Sequence, residues 1–130
     1  GYLWADSHHK TRMELFNHQL GYNKSRNTPS YYAAMFLLTS NQALFNRTGN
    51  CFYRSGIEFG YATLGGMSAH NQALYSAAKG LRHARGITEA ELADPNQIDD
   101  EAFRLIINAM LIAKYGTDVF KLKGETTHEP

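Results

Sequence analysis

Cysteine is almost absent. Cys51 is the only one in 130 residues, so no internal disulfide can form, and a reducing compartment is the simplest setting for the chain. Long apolar runs are missing as well. No window approaches the roughly 20 apolar residues of a spanning helix, and the first residues, GYLWADSHHK, contain no apolar stretch of the kind that directs secretion. The expectation is a cytoplasmic protein with no membrane partner. On that reading Asn23-Lys24-Ser25 and Asn46-Arg47-Thr48 match the glycosylation pattern by chance, because the modification requires a secretory route.

Complete chemical signatures are also lacking. Gly60-Tyr-Ala-Thr-Leu-Gly65 spaces two glycines as a phosphate loop does, but Gly66-Met67 follows where Lys and Ser/Thr would bind phosphate and magnesium. Glu14 and His18 have the only chelating spacing on a helix, and two ligands of mixed type make a weak metal site. Asp94-x-Asn96 begins like a calcium loop, then Ile98 takes a ligand position and Asp99 the place of the turn glycine. Neither a cofactor nor a metal is expected. For nucleophilic catalysis the candidates are Cys51 with His70 as base, against the simpler reading of Cys51 as a small buried hydrophobe. The chain is expected not to be an enzyme.

What is present is a helical pattern. Asp6 or Ser7 can cap a helix through HHKTRMELFNHQL, with Met13, Leu15, Phe16 and Leu20 on its apolar face and Gly21 at its exit. Thr28-Pro29 opens a second helix that is apolar on most of its circumference between Tyr31 and Leu38, as befits the most buried element. A break near Thr39 to Asn41 leads to a short turn carrying Leu44 and Phe45. From Ser68, Ala73, Leu74, Ala77, Leu81 and Ala84 recur at helical spacing, up to Gly86. Thr88 with Glu91 matches a capping box for a short turn that Asp94-Pro95 stops. The last long helix carries Phe103, Ile106, Ile107 and Met110, with Leu111 and Ala113 beside them, and ends at Gly116.

Between these helices Gly56, Gly60, Gly65 and Gly66 disfavour regular helix. Phe52, Tyr53, Ile57, Phe59 and Tyr61 give the same stretch too much apolar surface to remain in water. The fold class expected is all-α, a bundle of four to five helices with one irregular Gly/aromatic-rich connection that can hold a short hairpin. Residues 1–116 form the domain and 117–130 a partly flexible C-terminal extension, whose end, GETTHEP, has no periodicity and is expected to fray.

Charge is divided along the chain. Residues 1–86 hold nine Lys/Arg against three Asp/Glu, whereas 87–130 hold four against nine. The economical reading is two halves packing through complementary faces, with Lys79, Arg82 and Arg85 compensating a helix C-terminus and Asp99 to Glu101 a helix N-terminus.

The segments YYAAMFLLTSNQALFNR, GMSAHNQALYSAAKGL and ADPNQIDDEAFRLIINAMLIAKYG resemble a family of small uncharacterised helical proteins of Gram-positive phages, plasmids and conjugative elements. The similarity covers roughly residues 28–116, and its motifs are mostly core-forming. The resemblance implies a cytoplasmic accessory role on a mobile element and carries no catalytic residues.

The leading expectation is a non-enzymatic interaction protein whose partner is a host or mobile-element protein. Inhibition of a host defence nuclease is a specific form that the resemblance alone suggests. Tyr, Phe and Arg are favoured at interface centres, so the expected partner contacts are Phe52, Tyr53, Arg54 and Phe59, joined by Arg82 and Arg85. The alternative is a nucleic-acid-binding accessory protein using the basic half, in which Arg47, Arg54, Lys79, Arg82 and Arg85 interleave with aromatics on which bases stack.

Overall fold

Helix boundaries fall where short polar side chains meet the first free amides. The computed structural model, which describes residues 3–21, 28–53, 56–83 and 89–120, contains six α-helices among those residues. Asp6 opens α1 (His9–Leu20): its Oδ1 accepts from the N–H groups of His8 and His9 at 2.9 and 3.0 Å. Gly21 leaves that helix at φ +78°. Thr28 caps α2 (Pro29–Leu38) through the Tyr31 N–H, with Pro29 in the first turn, where its missing N–H costs nothing. Asn41 caps α3 (Gln42–Thr48) at 2.8 Å, and Ser68 caps α4 (Ala69–Arg82) at 3.1 Å. A short α5 (Glu89–Ala93) precedes α6 (Asp100–Tyr115), which Asp99 caps and Gly116 ends at φ +78°.

The chain is mostly helical but not purely so. Between α3 and α4 lie a 3-10 turn (Gly49–Cys51), strand β1 (Phe52–Tyr53), strand β2 (Gly56–Ile57) and a second 3-10 turn (Phe59–Tyr61). The strands pair antiparallel, Phe52 with Ile57 and Tyr53 with Gly56. An all-α class is therefore too narrow. The glycine-rich stretch finds backbone partners in a small sheet because it cannot hold a helix.

Helix α2 sits in the middle, with Tyr31 and Ala33 to Leu38 all withdrawn from solvent, and α4 and α6 packed on either side of it and on each other. Ala77 and Ala78 on α4, and Ala102 and Ala109 on α6, are buried, and side chains of that size allow helix backbones to come close. On α6 the buried face is Ala102, Leu105, Ile106, Ala109 and Ile112, rotated from the expected stripe, and Phe103 is left 42% exposed. On α1 Met13 is buried and Phe16 half-buried, whereas Leu15 is exposed.

The N-terminal segment before α1 also joins the core. Leu3 is buried and its carbonyl accepts from Asn108 Nδ2 at 3.1 Å. The Trp4 ring stacks on Phe120 with centroids 5.4 Å apart. Val119 is buried too, so Val119 and Phe120, at the start of the C-terminal extension, pack against the core, while Thr117 and Asp118 stay exposed. Residues 121–130 lie outside the described residues, as do the expected helix end at Gly86 and the Thr88 cap.

Candidate functional site

The connection from Gly49 to Met67 is built by two kinds of side chain, those that anchor it and those it presents. Phe52 is an anchor. It meets Phe16 and Tyr31 edge-on, with centroids 5.2 and 5.6 Å apart, and is 6% exposed. Phe59 is another, set edge-on to Tyr75 and His83 of the α4 end and 3% exposed. The Tyr75 hydroxyl donates to the Phe59 carbonyl at 2.8 Å. Each buried phenyl ring contributes on the order of 2–3 kcal/mol to holding the connection down. Neither ring is available to a partner, and the expectation that both would be contacts gives way to an anchoring role.

Polar groups fix what lies between the anchors. Arg47 reaches across from α3 and donates through Nη1 to the carbonyls of Thr63, at 2.9 Å, and of Gly65. The Thr63 N–H returns a bond to the Arg47 carbonyl at 3.2 Å. Asn50 Nδ2 donates to the Tyr61 carbonyl at 3.1 Å, and the Glu58 carboxylate accepts from the Gly60 N–H at 3.1 Å. Gly66 turns the chain at φ +75°, a conformation a side chain would strain. Met67 then buries itself at the start of α4.

What remains outside includes large apolar groups beside the polar Asn50, Glu58 and Thr63. Tyr53, Tyr61 and Leu64 are 43%, 61% and 43% exposed, and they make up three of the six large hydrophobic side chains exposed among the described residues. The others, Leu15, Phe103 and Tyr115, lie far apart in sequence on α1 and α6. A mobile loop can display apolar groups by fluctuation, but here the backbone that carries Tyr61 and Leu64 is tied down on both sides. The side chains of Tyr61 and Leu64 are therefore displayed from a fixed backbone.

Of the remaining expected contacts, Arg82 is half-buried at the end of α4, its Nη1 3.5 Å from Ser30 Oγ and its Nε enclosed without a partner among the described residues. Arg54 and Arg85 lie outside the described residues. Sequence reasoning placed Arg47 in a basic surface and missed its role as a loop clamp. It also missed Leu64, whose position beside Gly65-Gly66, with no apolar periodicity to pull it inward, is the signal that could have exposed it.

Cys51 and His70 go to separate tasks. The thiol is fully buried, 3.9 Å from the Phe59 carbonyl, and burial, with the Glu58 carboxylate nearby, pushes its pKa up to about 11. A thiol so protonated is a poor nucleophile. His70 instead meets the Asp99 carboxylate at 3.0 Å. Among the described residues no three His, Cys, Asp or Glu side chains gather in a metal-binding arrangement, and Glu14 and His18 are both exposed. No helix of the described residues is long and apolar enough to cross a membrane.

Among the described residues, concave surfaces also lie away from the connection, one of them, of about 360 Å³, between Pro29, Tyr32 and Tyr115. Another, of about 360 Å³, runs along α4 past Gln72 and Ser76 to Glu91 and Asn96. A third, of about 190 Å³, lies between Trp4, Met13, Tyr32 and Phe120. Compared with family models, curated proteins and solved structures, the chain finds no match in any of the three.

Proposed function

We propose that the protein acts by binding another macromolecule through the surface of the Gly49 to Met67 connection, with Tyr53, Tyr61 and Leu64 as its apolar contacts. The observation that carries this reading is the combination of exposed apolar side chains with a backbone clamped by Arg47, Asn50 and Glu58. Interfaces reward that combination, since large rings bury much area and an already ordered loop loses little entropy on binding. On the resemblance read from the sequence segments, the partner proposed is a host or mobile-element protein, with inhibition of a host defence nuclease as one specific form.

A protein partner is favoured over nucleic acid by the employment of the basic side chains. The Arg47 guanidinium is engaged with backbone carbonyls, and Phe52 and Phe59, which would have supplied stacking faces, are in the core. The test is capture from a nuclease-treated Gram-positive lysate on wild type and on a Tyr53→Ala/Tyr61→Ala variant with unchanged circular dichroism. A stoichiometric protein retained by wild type at 0.5 M salt, on the order of several times physiological ionic strength, and lost by the variant supports the reading. Capture that disappears with nuclease treatment supports a nucleic-acid partner instead, and equal capture by both chains removes this surface from the proposal.

A further inference from the structure

The segment of residues 3–8 has no regular secondary structure, and its first three residues are held to the helices by hydrogen bonds from three side chains, ahead of the Asp6 bonds that lead into α1. Asn108 Nδ2 donates to the Leu3 carbonyl at 3.1 Å, Arg104 Nη2 donates to the Trp4 carbonyl at 3.2 Å, and the Ala5 N–H donates to His9 Nδ1 at 3.0 Å. An amide and a guanidinium keep their protonation state across the ordinary pH range. His9 does not.

The surroundings of His9 permit one protonation state. The Ala5 N–H can only donate, so Nδ1 must present its lone pair. The Phe36 carbonyl, 2.7 Å from Nε2, can only accept, so Nε2 must carry the hydrogen. That carbonyl stands near the α2 C-terminus, where the Ser40 N–H turns to Leu37 instead, so His9, with the Thr39 hydroxyl at a longer 3.4 Å, meets an acceptor that the helix backbone leaves open. The ring is fully buried, edge-on to Trp4 at 5.0 Å and tilted against Phe36 at 4.7 Å.

We infer that residues 3–8 are an acid-released strap, in which a second proton on His9 sets two donors against each other at Ala5 and frees Leu3 and Trp4 from the helical core. Of the charged groups facing the ring, Asp6 on the strap favours the proton, while Arg12 on α1 and Arg104 on α6 oppose it. From α2 the ring meets the uncharged Phe36. Burial dominates, holding the imidazole down at about 4 against the ordinary 6.5. Below pH 6.5 the released strap takes up a proton that the latched one refuses, so the preference for the latched form falls as the pH drops and levels off near pH 4. That window corresponds to a shift of about 300-fold in the latch equilibrium.

Helices α2, α4 and α6 hold one another through contacts that do not involve the strap, so release is a local event. It uncovers the Phe120 face on which the Trp4 ring stacks and the Phe36 ring against which it tilts, and so widens the groove already open beside Met13 and Tyr32. Acid thus opens an apolar surface that neutral pH conceals.

Trp4 is the only tryptophan in the chain, so its emission reports the strap alone. The experiment follows the Trp4 emission maximum and the helical dichroism of the full chain between pH 7.5 and 3.5, in wild type and in His9→Gln, with the Ala5 amide and His9 ring followed by NMR in wild type. The expected result is a red shift of the wild-type emission with its midpoint between pH 4 and 6.5, at constant helical signal, absent from His9→Gln. A variant already red-shifted at pH 7.5 with full helical signal also supports the latch, provided that the wild-type Ala5 amide and His9 ring titrate together. Emission that shifts only as the helical signal collapses, a variant that titrates like wild type, or an Ala5 amide that ignores the His9 ring would overturn the inference.

Discussion

The imidazole of His70 and the carboxylate of Asp99 meet at 3.0 Å, joining the first turn of α4 to the residue that caps α6. The same carboxylate accepts the Ala102 N–H at 2.8 Å. One side chain therefore starts a core helix and ties it to its neighbour. The Ala102 bond first, and His70 after it, hold the Asp99 carboxyl below its ordinary range.

Replacing that side chain tests the arrangement. Asp99→Ala is expected to lower the unfolding free energy by about 1 kcal/mol, the usual worth of an N-cap, and Asp99→Asn by less because its amide oxygen still caps. A carboxyl with a depressed folded pKa stabilises above its unfolded value and loses that contribution as the pH falls through the folded one. Urea denaturation should show the wild-type advantage over Asp99→Asn at pH 7 and its decline below pH 3.8.

The Arg47 clamp predicts a local effect. Arg47→Ala should speed amide exchange from Tyr61 to Met67 severalfold while changing the global midpoint little, because the lost bonds lie at the surface. Arg47→Lys should not restore protection, since an ammonium is a compact point charge without the planar fork of a guanidinium. Exchange followed by mass spectrometry checks both.

At Gly66 the constraint is the backbone. An added Cβ would meet nothing closer than the Arg47 guanidinium at 3.9 Å, so space is available, yet φ is +75°. Gly66→Ala is expected to cost about 1 kcal/mol through left-handed strain alone, and Gly65→Ala, in open space at ordinary φ, close to nothing. Thermal or urea midpoints of the two variants separate these cases.

Cys51 should be silent toward thiol reagents in the folded protein. Its sulfur is buried and its pKa raised to about 11, so labelling requires the connection or the whole domain to open. The labelling rate at pH 8 is expected to lie orders of magnitude below that of a free thiol and to rise in step with urea-induced unfolding. Fast labelling of the native protein would place Cys51 outside the core.

Core position decides the size of truncation effects. Leu38→Ala, at a site withdrawn from solvent on α2, should cost roughly 2–5 kcal/mol, whereas Leu15→Ala, exposed on α1, should stay within about 0.5 kcal/mol of wild type. A large loss at Leu15 would show that side chain covered by something, such as a partner or a second copy.

The Thr28 cap was legible in the sequence, as was Asp6 or Ser7 at the start of α1, because such contacts are local. Asp6 and Thr28 accept amide hydrogens two or three residues ahead, and so short a reach leaves a trace in spacing. The burial of α2 was legible for a related reason, since a helix apolar all round has no face to give to water. Only the tertiary structure decided which side of α6 turned inward. Apolar residues lie on more than one of its faces, and the face that carries Ala102 and Ala109 is the buried one, leaving Phe103 outside. The roles of Phe52, Phe59, Arg47 and His9 were also invisible along the chain. Each depends on partners brought near by folding, such as Phe16, Tyr75, Thr63 and Phe36, and residue type alone does not say whether a ring or a guanidinium anchors a loop or meets a partner.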